Sequence, residues 1–279
     1  MKSNVLFRSG TILVPTDFSP VCDNAVSFGV KLASASGCKV CILHIINNKT
    51  RRGLMKKDTG PGFIDNKLKA YQDLYRETEN VQVDTIQRIG QIYTTINETV
   101  KEIGANMMVL GTHGKKGWQY LLGSDIFKVV YESSVPTVVV QNLPMNETGK
   151  IVVPVMDDYD FDDKLQLIKQ MARIFDSQIL FFRPNETDPE LNNRLSVFIN
   201  DLSVRLKSDQ ISNSTSSADL KTPYQVALRS HTSLQKTSMI LIMVRHSLET
   251  PAINPADWYE ELLFNPEQIP VMVINLTKF

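Results

Sequence analysis

The chain has 279 residues, 42% of them apolar and 22% charged, with Lys plus Arg equal to Asp plus Glu at 30 each. That balance excludes a global field that would draw the chain onto nucleic acid or an anionic membrane, and the length accommodates two domains of ordinary size. Met1 to Gly10 lacks the apolar core of a signal peptide, and no apolar run approaches a membrane span. The three cysteines, Cys22, Cys38 and Cys41, are odd in number and have no second pair to complete a zinc site, so the expected location is a reducing cytoplasm.

Thr11 to Pro15 reads as a short apolar strand. Thr16 to Pro20 is a turn and helix entry, with Ser19 at the N-cap and Pro20 at the first helical position. Val21 to Ala35 carries apolar residues at helical spacing and stops at Ser36-Gly37; Lys39 to Ile46 is the second strand. Asn47 to Gly62 is polar and basic and reads as a loop. Phe63 to Glu79 is a second helix, Val81 to Ile89 a third strand, and Gln91 to Ile103 a third helix stopped by Gly104. Met107 to Leu110 is a fourth strand, Ser124 to Tyr131 a fourth helix, and Val135 to Gln141 a fifth strand. Strands alternating with helices predict a parallel sheet covered on both faces.

The pattern then begins again. Ile151 to Pro154 repeats Ile12 to Pro15, Ser238 to Met243 repeats Asn106 to Gly111, and Ile269 to Ile274 repeats Val135 to Val140. The step from Ile12 to Ile151 is nearly the step from Val135 to Ile269, which predicts two tandem copies of one fold. The boundary falls in the polar linker Asn142 to Gly149, giving a front domain over residues 1–143 and a rear domain over 150–279. The rear copy is degenerate. Where the front copy has Gly111, Gly114 and Gly123-Ser124, the rear runs Met243-Val244-Arg245-His246-Ser247 without glycine. Its Ser208 to Asp219 segment is serine-rich and reads as disordered, and its third helix is squeezed into Ser230 to Thr237.

The stretch with most chemistry is Gly111 to Ser124, GTHGKKGWQYLLGS, which leads from strand four into a helix. A helix N-terminus presents free N–H groups to an anion. Gly111 and Gly114 can take positive φ and have no Cβ to keep a ligand off the backbone, while Ser124 is placed either to cap the helix or to meet a phosphate oxygen. Glycines at strand ends and serines at helix starts are also ordinary punctuation. In open parallel sheets, ligands bind beyond the C-terminal ends of strands where the order reverses. If the order is 3-2-1-4-5, strands one and four are neighbours, and Thr16-Asp17 and the glycine loop line one crevice. An ionised Asp17 only accepts hydrogen bonds, which suits an exocyclic amine or a ribose hydroxyl; its alternative role is a cap at the helix entry.

Val14-Pro15-Thr16-Asp17-Phe18-Ser19, Leu43-His44-Ile45, and Gly111-Thr112-His113-Gly114 followed by Gly123-Ser124 together closely resemble the universal stress protein family. The resemblance is strong over residues 11–141 and weak but consistent over 150–276. It implies two tandem five-stranded parallel α/β (Rossmann-like) domains of order 3-2-1-4-5, the second degenerate, in a family whose members act as dimers or tandem pairs. One branch binds ATP. By that resemblance the nucleotide site here would comprise Pro15, Thr16, Asp17, Ile45, Gly111, His113, Gly114, Gly123 and Ser124, with Mg²⁺ arriving on the phosphates. Strand-five pairing would join the halves as an intramolecular pseudo-dimer, and a homodimer would be open to it. Two departures stand out. Lys115 to Leu122 is one residue shorter than the family's usual spacing, and Asp125 places a carboxylate in the first helical turn, where it would repel a triphosphate.

Two function classes follow. The first is a non-catalytic stress or regulatory protein holding ATP or another adenine nucleotide in its front domain. The second is a nucleotide-free interaction module on the same scaffold, with Pro251 to Trp258 as a contact. The sequence has no P-loop and no serine elbow. His44 reads as a buried, hydrogen-bonded strand residue, and weak ATP hydrolysis is the most that an enzymatic reading supports.

Overall fold

Parallel strands dominate a single ten-stranded sheet of order β3-β2-β1-β4-β5-β10-β9-β6-β7-β8. The structure is a computed structural model, and it describes residues 10–47, 62–112, 123–143, 149–156, 162–219, 221–244 and 260–275. The first half contributes β1 (Thr11–Thr16), α1 (Pro20–Ser36), β2 (Lys39–Ile46), α2 (Phe63–Glu79), β3 (Val83–Ile89), α3 (Ile92–Glu102), β4 (Met107–Gly111), α4 (Gly123–Glu132) and β5 (Thr137–Val140). The second contributes β6 (Lys150–Pro154), α5 (Asp162–Ile174), β7 (Gln178–Arg183), α6 (Pro189–Ser208), β8 (Asn213–Ser217), α7 (Tyr224–Leu234), β9 (Thr237–Val244) and β10 (Val271–Asn275). Each half therefore has the order 3-2-1-4-5, mirrored along the sheet.

The repeat inferred from the sequence is visible in the registers. Thr11 pairs with Lys39 and Pro15 with Leu43; in the rear half Lys150 pairs with Gln178 and Pro154 with Phe182. Lys150 stands as far along the chain from Thr11 as Gln178 does from Lys39, so the two registers superpose without a slip. The halves meet at β5 and β10, whose pairing is antiparallel while the other eight are parallel.

Burial on both sides of the sheet explains why β1, β4 and β9 are near-continuous apolar runs without alternation. One face carries α1, α2, α5 and α6 over a core that includes Val14, Phe28, Val109, Val138, Met272 and Phe175. The other carries α3, α4 and α7 over Leu13, Leu43, Val130, Val139, Ile240 and Val271. Both cores cross the seam, and on the first face Phe28 packs against Phe175 with ring centroids 5.9 Å apart.

The helix boundaries follow local chemistry. Pro20 opens α1 behind Ser19, and Gly37 ends it at φ 72°, a left-handed position that glycine takes without steric cost. Ser19 occupies the N-cap position but makes no side-chain cap bond.

Two expectations for the rear half are corrected. The serine-rich stretch expected to be disordered contains β8, paired in parallel with β7 from Ile179↔Asn213 to Arg183↔Ser217. An edge strand needs no apolar alternation when its backbone ladder is satisfied and buried residues anchor its ends, as Ile211 and Ala218 do here. The Ala218 N–H donates to the Arg183 carbonyl at 2.9 Å. The helix expected over Ser230 to Thr237 spans Tyr224–Leu234 instead, and Thr237 belongs to β9. Tyr224 fixes its first turn by donating to the Phe182 carbonyl at 2.8 Å and packing on the Phe182 ring at 5.5 Å.

Candidate functional site

The strand order of the front half reverses between β1 and β4: β2 and β3 build outward from β1, and β5 lies on the far side of β4. This is where an open parallel sheet leaves a crevice beyond its strand tips. Asn106 fixes the lower end of the pair, its Oδ1 accepting from Thr11 N at 3.0 Å and its own N–H donating to the Thr11 carbonyl at 2.9 Å. Leu13 is paired with Met108, a register that, continued to the strand ends, sets Thr16 opposite Gly111. The turn after β1 and the end of β4 thus share one edge of the sheet. Because α4 links parallel β4 to β5, its N-terminus must open at that same edge.

Of the site residues predicted from sequence, Pro15, Thr16, Asp17, Ile45 and Gly111 come together at the tips of β1, β2 and β4. Pro15 and Ile45 share the face covered by α3 and α4, where Ile45 and its neighbour Leu43 are buried. Thr16 and Gly111 point to the opposite face, under α1. Gly123 and Ser124 both lie in the first turn of α4. His113 and Gly114 lie outside the described residues, as does the proposed contact loop Pro251 to Trp258.

The role expected of Gly111 is corrected in part. It is an extended strand residue paired with Val140, and its φ is not positive. A Cβ there would stand 2.7 Å from the Val21 carbonyl oxygen and 3.2 Å from Cys22 Cα. Gly111 therefore admits the first turn of α1 against β4, a packing requirement in its own right.

The β1–α1 turn is tightly specified. Thr16 Oγ1 accepts from Phe18 N at 3.0 Å and Asp17 Oδ1 accepts from Ser19 N at 2.9 Å. Phe18 is held in the left-handed region at φ 63°. Its ring stacks on His44 at 4.5 Å and on Tyr71 at 6.2 Å. His44 is buried, and its Nδ1 lies 2.9 Å from the Thr16 carbonyl oxygen, an arrangement that places the proton on Nδ1. Burial holds its pKa below the usual histidine value. Sequence reasoning anticipated a hydrogen-bonded His44 but not this aromatic stack; the signal available was a bulky Phe18 between Asp17 and Ser19.

The three cysteines are buried, and none forms a disulfide. Burial, reinforced by the Asp17 carboxylate, pushes the Cys22 thiol up to about 12, and burial with Asp84 pushes Cys41 to about 11. Among the described residues no cluster of three His, Cys, Asp or Glu could hold a metal. No described helix is long and apolar enough to cross a membrane.

Residues 9–141 match the Universal stress protein family. The front half of the chain belongs to the universal stress protein family. Likeness to solved structures extends this fold over the whole chain. A universal stress protein from Archaeoglobus fulgidus is 17% identical, with 96% of this chain and 99% of that chain covered and a TM-score of 0.65. A putative universal stress protein from Pseudomonas aeruginosa is 14% identical over 98% of this chain and 95% of that one, with a TM-score of 0.66. A universal stress protein in complex with cAMP is 21% identical over 49% of this chain and 99% of that chain, with a TM-score of 0.39, a likeness confined to half of the chain. No curated protein is a significant match.

The antiparallel seam has a consequence for the universal stress protein crevice. Strand tips of the two halves point in opposite directions, so the β1–β4 crevice and its rear counterpart at β6–β9 open on opposite edges of the sheet. One ligand cannot span both.

Proposed function

We propose that the front half binds ATP, or another adenine nucleotide, across the tips of β1 and β4, and that the protein is a non-catalytic stress or regulatory protein of the cytoplasm. The observation that carries the reading is the adjacency of β1 and β4 at the strand-order reversal, in the register Ile12↔Met107 and Leu13↔Met108. The donor set suits the ligand. Asp17 keeps one carboxylate oxygen on Ser19 N and offers acceptor capacity for an amine or a ribose hydroxyl. Pro15 and Ile45 supply an apolar floor, and the first turn of α4, with Gly123 and Ser124, supplies free N–H groups for phosphate, assisted by Gly114 and His113. Mg²⁺ would come with the phosphates. In this reading residues 1–143 and 150–279 are two domains joined as an intramolecular pseudo-dimer, and a further homodimer remains open to the chain.

A second reading, a nucleotide-free interaction module, is favoured by one observation. Gly111 and Asp17 each have a structural task already, close packing of α1 and closure of the β1–α1 turn. Thermal unfolding with and without ATP separates the two. At a ligand concentration a hundred times Kd, binding adds about 2.7 kcal/mol, which raises Tm by several degrees. An unchanged Tm at millimolar ATP would favour the interaction module.

A further inference from the structure

The geometry points to His44 as a proton-sensitive clamp: it holds the Thr16 to Ser19 turn, and with it Asp17, in the observed form only while its imidazole is neutral. His44 is 3% exposed, its Nδ1 is committed to the Thr16 carbonyl oxygen, and its Nε2 is buried without a hydrogen-bond partner among the described residues. A neutral ring with its proton on Nδ1 tolerates this, because Nε2 is then only an acceptor. A second proton would make Nε2 an ionised donor with no bonded acceptor among the described residues, in a buried site.

The charged neighbours hold partners of their own, and the acceptor capacity left on the β1–α1 turn is that of Asp17 and the Ser19 hydroxyl, neither of them bonded to Nε2 among the described residues. On the β1–α1 turn, Asp17 Oδ1 accepts from Ser19 N. On α1 and α2, the Asp23 carboxylate accepts from the Tyr71 hydroxyl. On β3, Gln87, the cross-strand neighbour of His44, donates to Asp65 of α2. Asp17 exerts some attraction on a charged His44, and burial outweighs it. The Phe18 face would attract an imidazolium weakly, but it cannot take the place of an acceptor.

The clamp acts on a strained element. Phe18 is a bulky residue at positive φ, a conformation that persists only when its surroundings over-determine it. His44 is one of the two rings that do so and also bonds the carbonyl two residues before it. A folded-state pKa below the unfolded value means that the unfolded chain binds the proton more readily. The contribution of His44 is therefore full above the unfolded value of about 6.5 and is lost as pH falls from there through the lower folded value. If the nucleotide reading above holds, affinity for ATP falls over the same range, because Asp17 rides on the turn.

The test needs no nucleotide. Tm is followed from pH 7.5 to 5 for the full chain and for His44→Asn, which keeps a donor for the Thr16 carbonyl but cannot titrate. The expected result is a loss of several degrees in the unaltered protein, with a smaller loss in His44→Asn. Parallel losses in the two would overturn the clamp. Should His44→Asn fail to fold, the imidazole nitrogens of His44 and the amides of Thr16 to Ser19 are followed by NMR in the unaltered chain. Protonation of His44 below the ordinary histidine range, with the Phe18 and Ser19 amides shifting along the same curve, supports the clamp. An ordinary titration, or turn signals that ignore it, overturns it. Absence of ATP binding at every pH would sink the nucleotide reading and leave these ligand-free results to decide the clamp.

Discussion

Val138 and Met272 face each other across the antiparallel β5–β10 pair, and they also occupy the same position in the two copies of the repeat. When equivalent residues pair with each other, a local twofold axis passes between them. The side-chain amides at the strand ends obey the same relation. Gln141 and Asn275 are again equivalent in the repeat, and each reaches across the seam to main-chain carbonyls of the other half. Gln141 Nε2 donates to the Asn265 carbonyl at 2.9 Å, and Asn275 Nδ2 donates to the Val130 and Ser133 carbonyls at 3.0 and 2.7 Å. A reciprocal polar latch thus lies over an apolar seam.

Removing one side of that latch should cost stability. Asn275 is 1% exposed, so Asn275→Ala leaves two buried carbonyls without this donor. The expected loss is about 1–3 kcal/mol, read as a lower urea midpoint with little change in slope. A loss below about 0.5 kcal/mol, the usual scale of surface substitutions, would mean that the latch is incidental.

Gly111→Ala separates packing from ligand binding. The added Cβ meets main-chain atoms of Val21 and Cys22, which cannot swing aside as a side chain can, so α1 must shift as a body. The expected cost is about 1–3 kcal/mol without any ligand. If this variant were as stable as the unaltered chain, the close approach of α1 to β4 would be wrong.

Cys22 and Cys41 should be inert in the native state. With Cys22 pushed up to about 12 and Cys41 to about 11, the thiolate fraction at pH 8 is roughly one in ten thousand for the first and one in a thousand for the second. Iodoacetamide at pH 8 should modify neither within the lifetime of the folded protein, and both promptly in urea. Native labelling of Cys22 at the rate of a free thiol would contradict the packing of α1 on β4.

Where burial sets the pattern, the fold is legible in the residues. Lys39–Ile46 and Phe63–Glu79 have the bounds expected, because an uninterrupted apolar strand and a strongly amphipathic helix each carry one period. β8 was illegible because Asn213 to Ser217 contains no apolar residue; its order comes from the backbone of β7. The length of α7 was hidden because His231 and Thr232 take inward positions that a helical pattern normally gives to apolar residues. At the candidate site, the meeting of the Asp17 turn with Gly111 could be anticipated from strand order. The pressure of α1 on Gly111 could not, since contact between residues so distant in the chain as Val21 and Gly111 leaves no periodic trace.

The adenine-nucleotide site is tested most directly by calorimetric titration of ATP into the full chain, with Gly114→Val in parallel. The account predicts saturable binding of one ATP per chain, because the rear half lacks the glycine loop, and a loss of at least about tenfold in affinity in the variant, or about 1.4 kcal/mol. No binding to the unaltered chain, or binding that Gly114→Val leaves intact, would contradict it.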